Sequence, residues 1–339
     1  MSHRRHASKR AALPPVLALA ALTTLTGCSA DSADKDGRTR SGAPDASDVP
    51  AKGAPGVTTV PEISTRVEKP VPVQDYLLSD AQWRQLGEAG EVLRQRCMQR
   101  FGLTYEIVAP AHNGPGQTIS EYRYGILDPK YTARHGYLTP SALAQSATSG
   151  KPAAGAEQLA RMSKDEQLVL LGTTDPKVSA ADQAQATGGQ KVRGRTVPKG
   201  GCVGESQEKL GGTADSGIGD AQIANDVNLN SFAKSLEDTR VRQVFTEWSA
   251  CMKAKGYEYE TPIQASNDKR WSPKRGSAEE KATATADAEC KMEKNVTGVW
   301  YAVDVAYQNQ MIEQHRTELD AVKKGIAERM RLAAQATTP

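Results

Sequence analysis

Two ten-residue stretches of the chain share one frame. Cys97-Met98-Gln99-Arg100-Phe101-Gly102-Leu103-Thr104-Tyr105-Glu106 aligns without a gap on Cys251-Met252-Lys253-Ala254-Lys255-Gly256-Tyr257-Glu258-Tyr259-Glu260, with Cys, Met, Gly, Tyr and Glu coinciding. In both, the cysteine lies about one and a half turns before a glycine suited to the left-handed conformation that ends helices. An aromatic, strand-like run follows each glycine. The frame predicts a duplicated unit of amphipathic helix, glycine stop and short strand; convergence on a common helix-stop pattern is the alternative.

The flanking residues extend the helical reading. Ser79-Asp80-Ala81-Gln82 is a capping-box pattern, and Trp83, Leu86, Gly90, Leu93 and Cys97 follow at steps of three and four. Residues 231–255 place Phe232, Leu236, Val241, Val244, Phe245, Trp248 and Cys251 on helical spacing before Gly256. Ser163-Lys164-Asp165-Glu166 opens a short helix that Gly172 closes, and another short helix follows Gly201-Cys202 as far as Leu210. Ser277-Ala278-Glu279-Glu280 begins a stretch running to about Leu332, with Val296, Trp300, Val303, Tyr307, Met311, His315, Leu319, Val322, Ile326 and Met330 as its stripe. That length exceeds a typical globular helix, so a break is expected, with Gly298 the place for a bend. Residues 109–149 read as irregular loops packed by Tyr122, Tyr124, Tyr131 and Tyr137, and residues 173–201 as a long polar loop. The fold class expected is mainly α, with short strands and long loops, in two related halves over 73–212 and 220–333.

The amino end carries a different signal. Residues 1–10 are basic and residues 11–25 apolar. That run is short of the ~20 apolar residues of a membrane helix, and basic-then-apolar order fits an export signal over residues 1–27. It ends in Leu25-Thr26-Gly27-Cys28, which resembles the lipobox of bacterial lipoproteins: an apolar residue, two small ones, then a cysteine whose thiol accepts diacylglycerol. The resemblance implies cleavage before Cys28, lipidation of that residue, and a membrane partner reached through the anchor on the extracytoplasmic face. Residues 28–72, rich in Ser, Asp, Ala, Gly and Pro and free of aromatics, read as a disordered tether with a root-mean-square reach of roughly 35–40 Å.

Setting Cys28 aside leaves Cys97, Cys202, Cys251 and Cys290. An even number in an exported chain reads as two disulfides. Three connectivities exist, and the repeat favours Cys97–Cys202 with Cys251–Cys290, one bridge per unit. Such bridges matter for a chain with 5% aromatics and three phenylalanines. A metal site is the competing explanation, but there is no CxxC, and His112, His135 and His315 are scattered; no metal and no cofactor is expected.

The formal charge of +3 turns slightly negative once Arg4, Arg5, Lys9 and Arg10 are set aside, which argues against nucleic acid as a partner. No GxSxG, HExxH, P-loop or GxGxxG is present. Ser206, beside Cys202, lacks the second glycine of a nucleophile elbow. His315, on the apolar stripe, reads as a partly buried, hydrogen-bonded side chain. The loop holding Lys269, Arg270, Trp271, Lys274 and Arg275 is the candidate binding surface: four cations around one tryptophan, suited to anionic wall polymers or lipid headgroups. Its competing reading is a solvated loop whose tryptophan covers the core. The tyrosines of 122–137 are a weaker candidate for stacking on carbohydrate.

The Trp248-to-Gly256 helix end and its partner at Cys97–Gly102, the turn Gly200-Gly201-Cys202-Val203-Gly204-Glu205, and Ala288-Glu289-Cys290 together resemble secreted lipoproteins of high-GC Gram-positive bacteria. The resemblance implies an address rather than a reaction. The expected role is a non-enzymatic binding or accessory module at the cell surface, serving the cell wall or a membrane protein complex. The alternatives are a solute-binding lipoprotein of an ABC transporter and a cell-wall-modifying hydrolase.

Overall fold

The computed structural model describes residues 53–64, 70–108, 119–143, 154–174, 188–212 and 221–338, all within one compact unit, Asp48–Pro339. The export signal, Cys28 and the start of the tether lie outside the described residues. The fold is mainly α. Its helices are α1 (Asp80–Arg100), α2 (Ile119–Tyr124), α3 (Pro129–His135), α4 (Ala154–Arg161), α5 (Lys164–Leu171), α6 (Gly201–Lys209), α7 (Gln222–Glu237), α8 (Thr239–Ala254), α9 (Pro262–Ser266), α10 (Ala278–Glu293), α11 (Val296–Gln314) and α12 (Arg316–Thr337). Short 3₁₀ helices cover Pro72–Tyr76 and Lys269–Lys274. The strands β1 (Lys191–Val192) and β2 (Arg195–Thr196) form an antiparallel hairpin, inside the stretch expected to be loop. Arg193 and Gly194 at its turn both have positive φ, the backbone that two-residue hairpins require.

Local chemistry fixes most helix ends. Ser79 and Gln82 form the reciprocal capping box of α1, as do Ser163 and Glu166 for α5, and Gly172 closes α5 in the left-handed conformation. The third box is only half made. Ser277 Oγ accepts from the Glu280 amide at 3.2 Å, but the Glu280 carboxylate turns inward to accept from the amides of Gly276 (2.6 Å) and Tyr137 (3.2 Å).

Two long helical stretches are divided, the second of them as expected but not at the expected residue. The 231–255 stretch divides at Asp238, whose extended backbone ends α7 while its Oδ1 accepts from the Arg240 amide at 3.0 Å to start α8. The long C-terminal stretch breaks at Asn295, which has φ 49°, and again at His315. Gly298, expected to be the bend, lies inside α11. The runs after Gly102 and Gly256, expected as strands, form no strand pairing among the described residues. Leu103 and Tyr105 are buried and Thr104 and Glu106 exposed, so the alternation is real, but its backbone is bonded by Gln95 and Glu91 of α1 and Gln158 of α4. Residues 119–135, expected as loop, contain α2 and α3.

Two main clusters of buried side chains form the core, and the larger also takes in Tyr124 and Leu127 from the first stretch, 73–212. Cys97, Met98, Phe101, Leu103, Tyr105, Val169, Val192, Val197 and Cys202 pack together in the first. The second gathers Phe245, Trp248, Met252, Cys290, Val296, Trp300 and Val303, with Trp300 stacked on Phe232 at 5.4 Å and edge-on to Phe245 at 5.1 Å. Helix α12, expected to belong to the second unit, packs along α1 of the first through Leu86, Ala89, Ala333 and Ala336. The first and last helices of the body thus pack together, and α3 against α10 and α2 against α11 join the two stretches as well.

The tether is the largest departure from expectation. Residues 53–64 run as an extended strap against the second core, where Val57 and Ile63 pack, and Val71 and Val73 are fully buried in a further cluster with Tyr76 and Leu319. Polar composition without aromatics hides how few apolar side chains a short docked peptide needs.

Candidate functional site

The two disulfides have the sequential connectivity, Cys97–Cys202 and Cys251–Cys290, with Cα–Cα distances of 5.6 and 5.8 Å. The duplication extends to hydrogen bonds. Gly102 and Gly256 have φ 66° and 87°, and each closes its helix with paired amide-to-carbonyl bonds. Leu103 donates to Met98 O as Tyr257 donates to Met252 O, and Gly102 donates to Gln99 O as Gly256 donates to Lys253 O. From two positions before each cysteine, a side chain reaches the carbonyl eight positions after it: Gln95 to Tyr105 O at 3.1 Å, and Ser249 to Tyr259 O at 2.6 Å. Three residues beyond each partner cysteine sits a carboxylate, Glu205 at 3.7 Å from Cys97 Sγ and Glu293 at 3.5 Å from Cys251 Sγ. Sequence reasoning missed that last correspondence, although Cys202-x-x-Glu205 and Cys290-x-x-Glu293 spell it out. Burial alone would raise the Glu205 carboxyl, but Lys209 and Arg100 hold it below the usual carboxylate range. Ser206 donates to Val203 O at 2.7 Å within its own helix and is buried.

The basic loop is reassigned in part. Trp271 is 1% exposed and donates its indole N–H to Ala265 O at 2.7 Å, so it cannot be a contact residue for a polymer or membrane. Arg270 lies over its ring at 4.9 Å and bonds Asp268 (2.8 Å), Glu279 (2.5 Å) and the Tyr259 hydroxyl (2.6 Å). Those Arg270 bonds hold the Asp268 carboxyl far below its ordinary value. Arg275 lies 3.6 Å from the buried Glu280 carboxylate, and Lys269 is exposed. The side chain of Lys274 lies outside the described set. The stem of the loop thus caps the core, and its arginines face the protein's own acids.

Two buried charge networks were not visible in the sequence. On α10, Asp287 and Lys291 pair at 2.8 Å with both side chains buried, and Trp248 donates to Asp287 at 3.1 Å. Burial pushes the Asp287 carboxyl up, and Lys291 and Trp248 counter it. On α11, Asp304 accepts from Arg123 (2.7 Å), the Tyr124 hydroxyl (2.7 Å) and Gln308 (3.2 Å). Gln308 in turn accepts from the Val73 amide at 3.0 Å. Arg123 also reaches Asn228 Oδ1 at 2.7 Å and lies over the Phe232 ring at 5.0 Å. Buried charges are tolerated when paired and hydrogen-bonded on this scale, and these networks tie α2, α7, α11 and the Pro72–Tyr76 turn into one piece.

An open hollow of about 400 Å³ lies beside α3 and α10, lined by Lys255, Tyr257, Lys281 and Glu289 among alanines and Thr285; Lys255 and Glu289 pair across it at 2.9 Å. Among the described residues, no group of three His, Cys, Asp or Glu side chains is arranged to hold a metal ion. His135 packs on Tyr131 at 4.6 Å, and His112 lies outside the described residues. His315 sits at the α11–α12 break, partly buried and with Nδ1 2.9 Å from Glu318, as the sequence reading expected of it. Of the tyrosines, Tyr124 is core and Tyr131 donates to Leu138 O; the Tyr122 side chain lies outside the described set. No helix among the described residues is long and apolar enough to cross a membrane. No protein-family model, curated protein or solved structure matches the chain.

Proposed function

We propose that the protein is an extracytoplasmic lipoprotein, anchored through Cys28, whose helical body acts as a non-enzymatic binding or accessory module at the cell surface. The observation that carries this reading is Leu25-Thr26-Gly27-Cys28 at the end of a short apolar run behind a basic start. The disulfides support it. They pair the other four of five cysteines, leaving Cys28 without a cysteine partner in its own chain, and disulfides persist in oxidising compartments outside the cytoplasm. Buried acids and bases spent on one another favour a scaffold over an acid–base catalyst, which needs its groups poised at a cleft.

A solute-binding lipoprotein of the transporter type would require two lobes of alternating strands and helices, and the mainly α body does not supply them. A wall hydrolase remains the second reading. The direct test of the anchor is metabolic fatty-acid labelling. The wild-type chain takes up label and Cys28→Ala does not, while equal labelling of both sinks the reading. Purified protein incubated with peptidoglycan, with and without chelator, is expected to release no fragments; turnover that survives purification would install the hydrolase in its place.

A further inference from the structure

The strap over residues 53–64 is held as a peptide ligand is held. The Asn295 side-chain amide grips its backbone at two points, donating Nδ2–H to Pro61 O at 2.9 Å and accepting at Oδ1 from the Ile63 amide at 3.0 Å. Arg240 donates to Pro55 O at 3.1 Å. Val57 and Ile63 supply the apolar contacts. Asn295 adopts φ 49° to present its amide. Gly298 lies so close to Pro61 O that any Cβ there would collide with it. Gly298 stands in the first turn of α11, where the missing side chain is what lets the two backbones approach. Asn295 is also where the long helix breaks, so one residue both ends a helix and forms the clasp.

From this we infer that Asn295, Gly298 and Arg240 form a groove for an extended aliphatic segment with proline two residues before its last anchor, and that the same strap from a second copy of the chain occupies it by exchange. A second copy of the chain is the occupant that the contacts favour. Every copy carries Val57, Pro61 and Ile63 at the spacing that the groove reads, and an exchanged strap remakes each contact that it gives up, which is the condition for low-cost swapping. No sheet ladder ties the strap to the body. Its occupancy within one chain rests on these few contacts and on the high effective concentration that covalent attachment gives. The inference does not depend on lipidation at Cys28.

Complementation tests it. Full-length chains bearing one of two C-terminal tags are co-expressed, extracted in mild detergent and captured through one tag. A groove-defective chain, Gly298→Ala, keeps a usable strap; a strap-defective chain, Val57→Asp with Ile63→Asp, keeps a usable groove. Neither can exchange straps with itself, but the first can lend its strap to the second. The mixed pair is expected to co-capture several-fold more than either variant with itself, and more than wild type, whose own strap competes. Asn295→Gly, which keeps the positive φ but removes the clasp, must reproduce Gly298→Ala. Equal co-capture in every combination, none in any, or disagreement between the two groove variants would overturn the exchange and leave the strap a purely internal staple.

Discussion

Trp248 reaches across from α8 to donate its indole N–H to Asp287 on α10, four residues before the lysine that neutralises it. The carboxylate is thereby committed twice, to a charge and to a ring. Removing it by Asp287→Ala strands the buried Lys291 ammonium, and a loss of about 3–5 kcal/mol is expected in urea unfolding. The double change Asp287→Leu with Lys291→Met removes both charges and is expected to be much nearer wild type. A double variant as unstable as the single one would show that the pair contributes more than mutual neutralisation.

The two bridges close loops of different length, with separations of 105 and 39 residues. In the chain-entropy treatment, upper estimates of their contributions are ~4.8 and ~3.9 kcal/mol. Cys97→Ala with Cys202→Ala should therefore lower stability somewhat more than Cys251→Ala with Cys290→Ala, by urea titration under non-reducing conditions. The reverse order would point to residual structure in the unfolded first unit.

Asp238 joins α7 to α8 and serves three donors: the Arg240 amide, its guanidinium and the Tyr307 hydroxyl. Burial alone would raise its carboxyl, but Arg240 and then Tyr307 hold it below the ordinary 3.8. A depressed acid contributes stability that is complete above its unfolded pKa and is shed as pH falls through the folded one. Wild type should thus lose stability more steeply than Asp238→Asn from about pH 5 downward. Parallel curves for the two proteins would remove Asp238 from the acid transition.

For the basic loop, Trp271→Ala should cost about 3–5 kcal/mol, as for other large buried side chains. Arg270→Ala, at an exposed ion pair, should cost less than about 1 kcal/mol. Sedimentation with anionic liposomes is expected to be unchanged in Arg270→Ala. A marked drop there, with the fold intact, would return the loop to the role of a contact surface.

What was legible in the sequence is what short-range chemistry writes. Ser79 with Gln82, Ser163 with Glu166, and the glycines at 102 and 256 mark helix ends because each acts within a turn of its own position. The cysteine pairing was legible because the repeat restricts it. Long-range partners were not. The side chain that receives the strap lies 232 residues from Ile63, and nothing in Gly53–Ser64 alone announces a docked peptide. Periodicity also runs on through Asp238, since a single extended residue leaves the apolar spacing on either side intact. Trp271 was obscured by its neighbours, because arginines that cover an indole and cations that advertise a surface look alike in one dimension.

On the proposed anchor at Cys28, the docking of Gly53–Ser64 shortens the leash. A chain fastened at Cys28 and free until Val73 could stand off by at most ~160 Å when fully stretched, whereas one whose slack ends at Gly53 is limited to ~90 Å. With the proposed anchor at Cys28, a seated strap keeps Gly53 within that smaller radius of the bilayer, and unseating the strap pays out the difference without breaking a covalent bond.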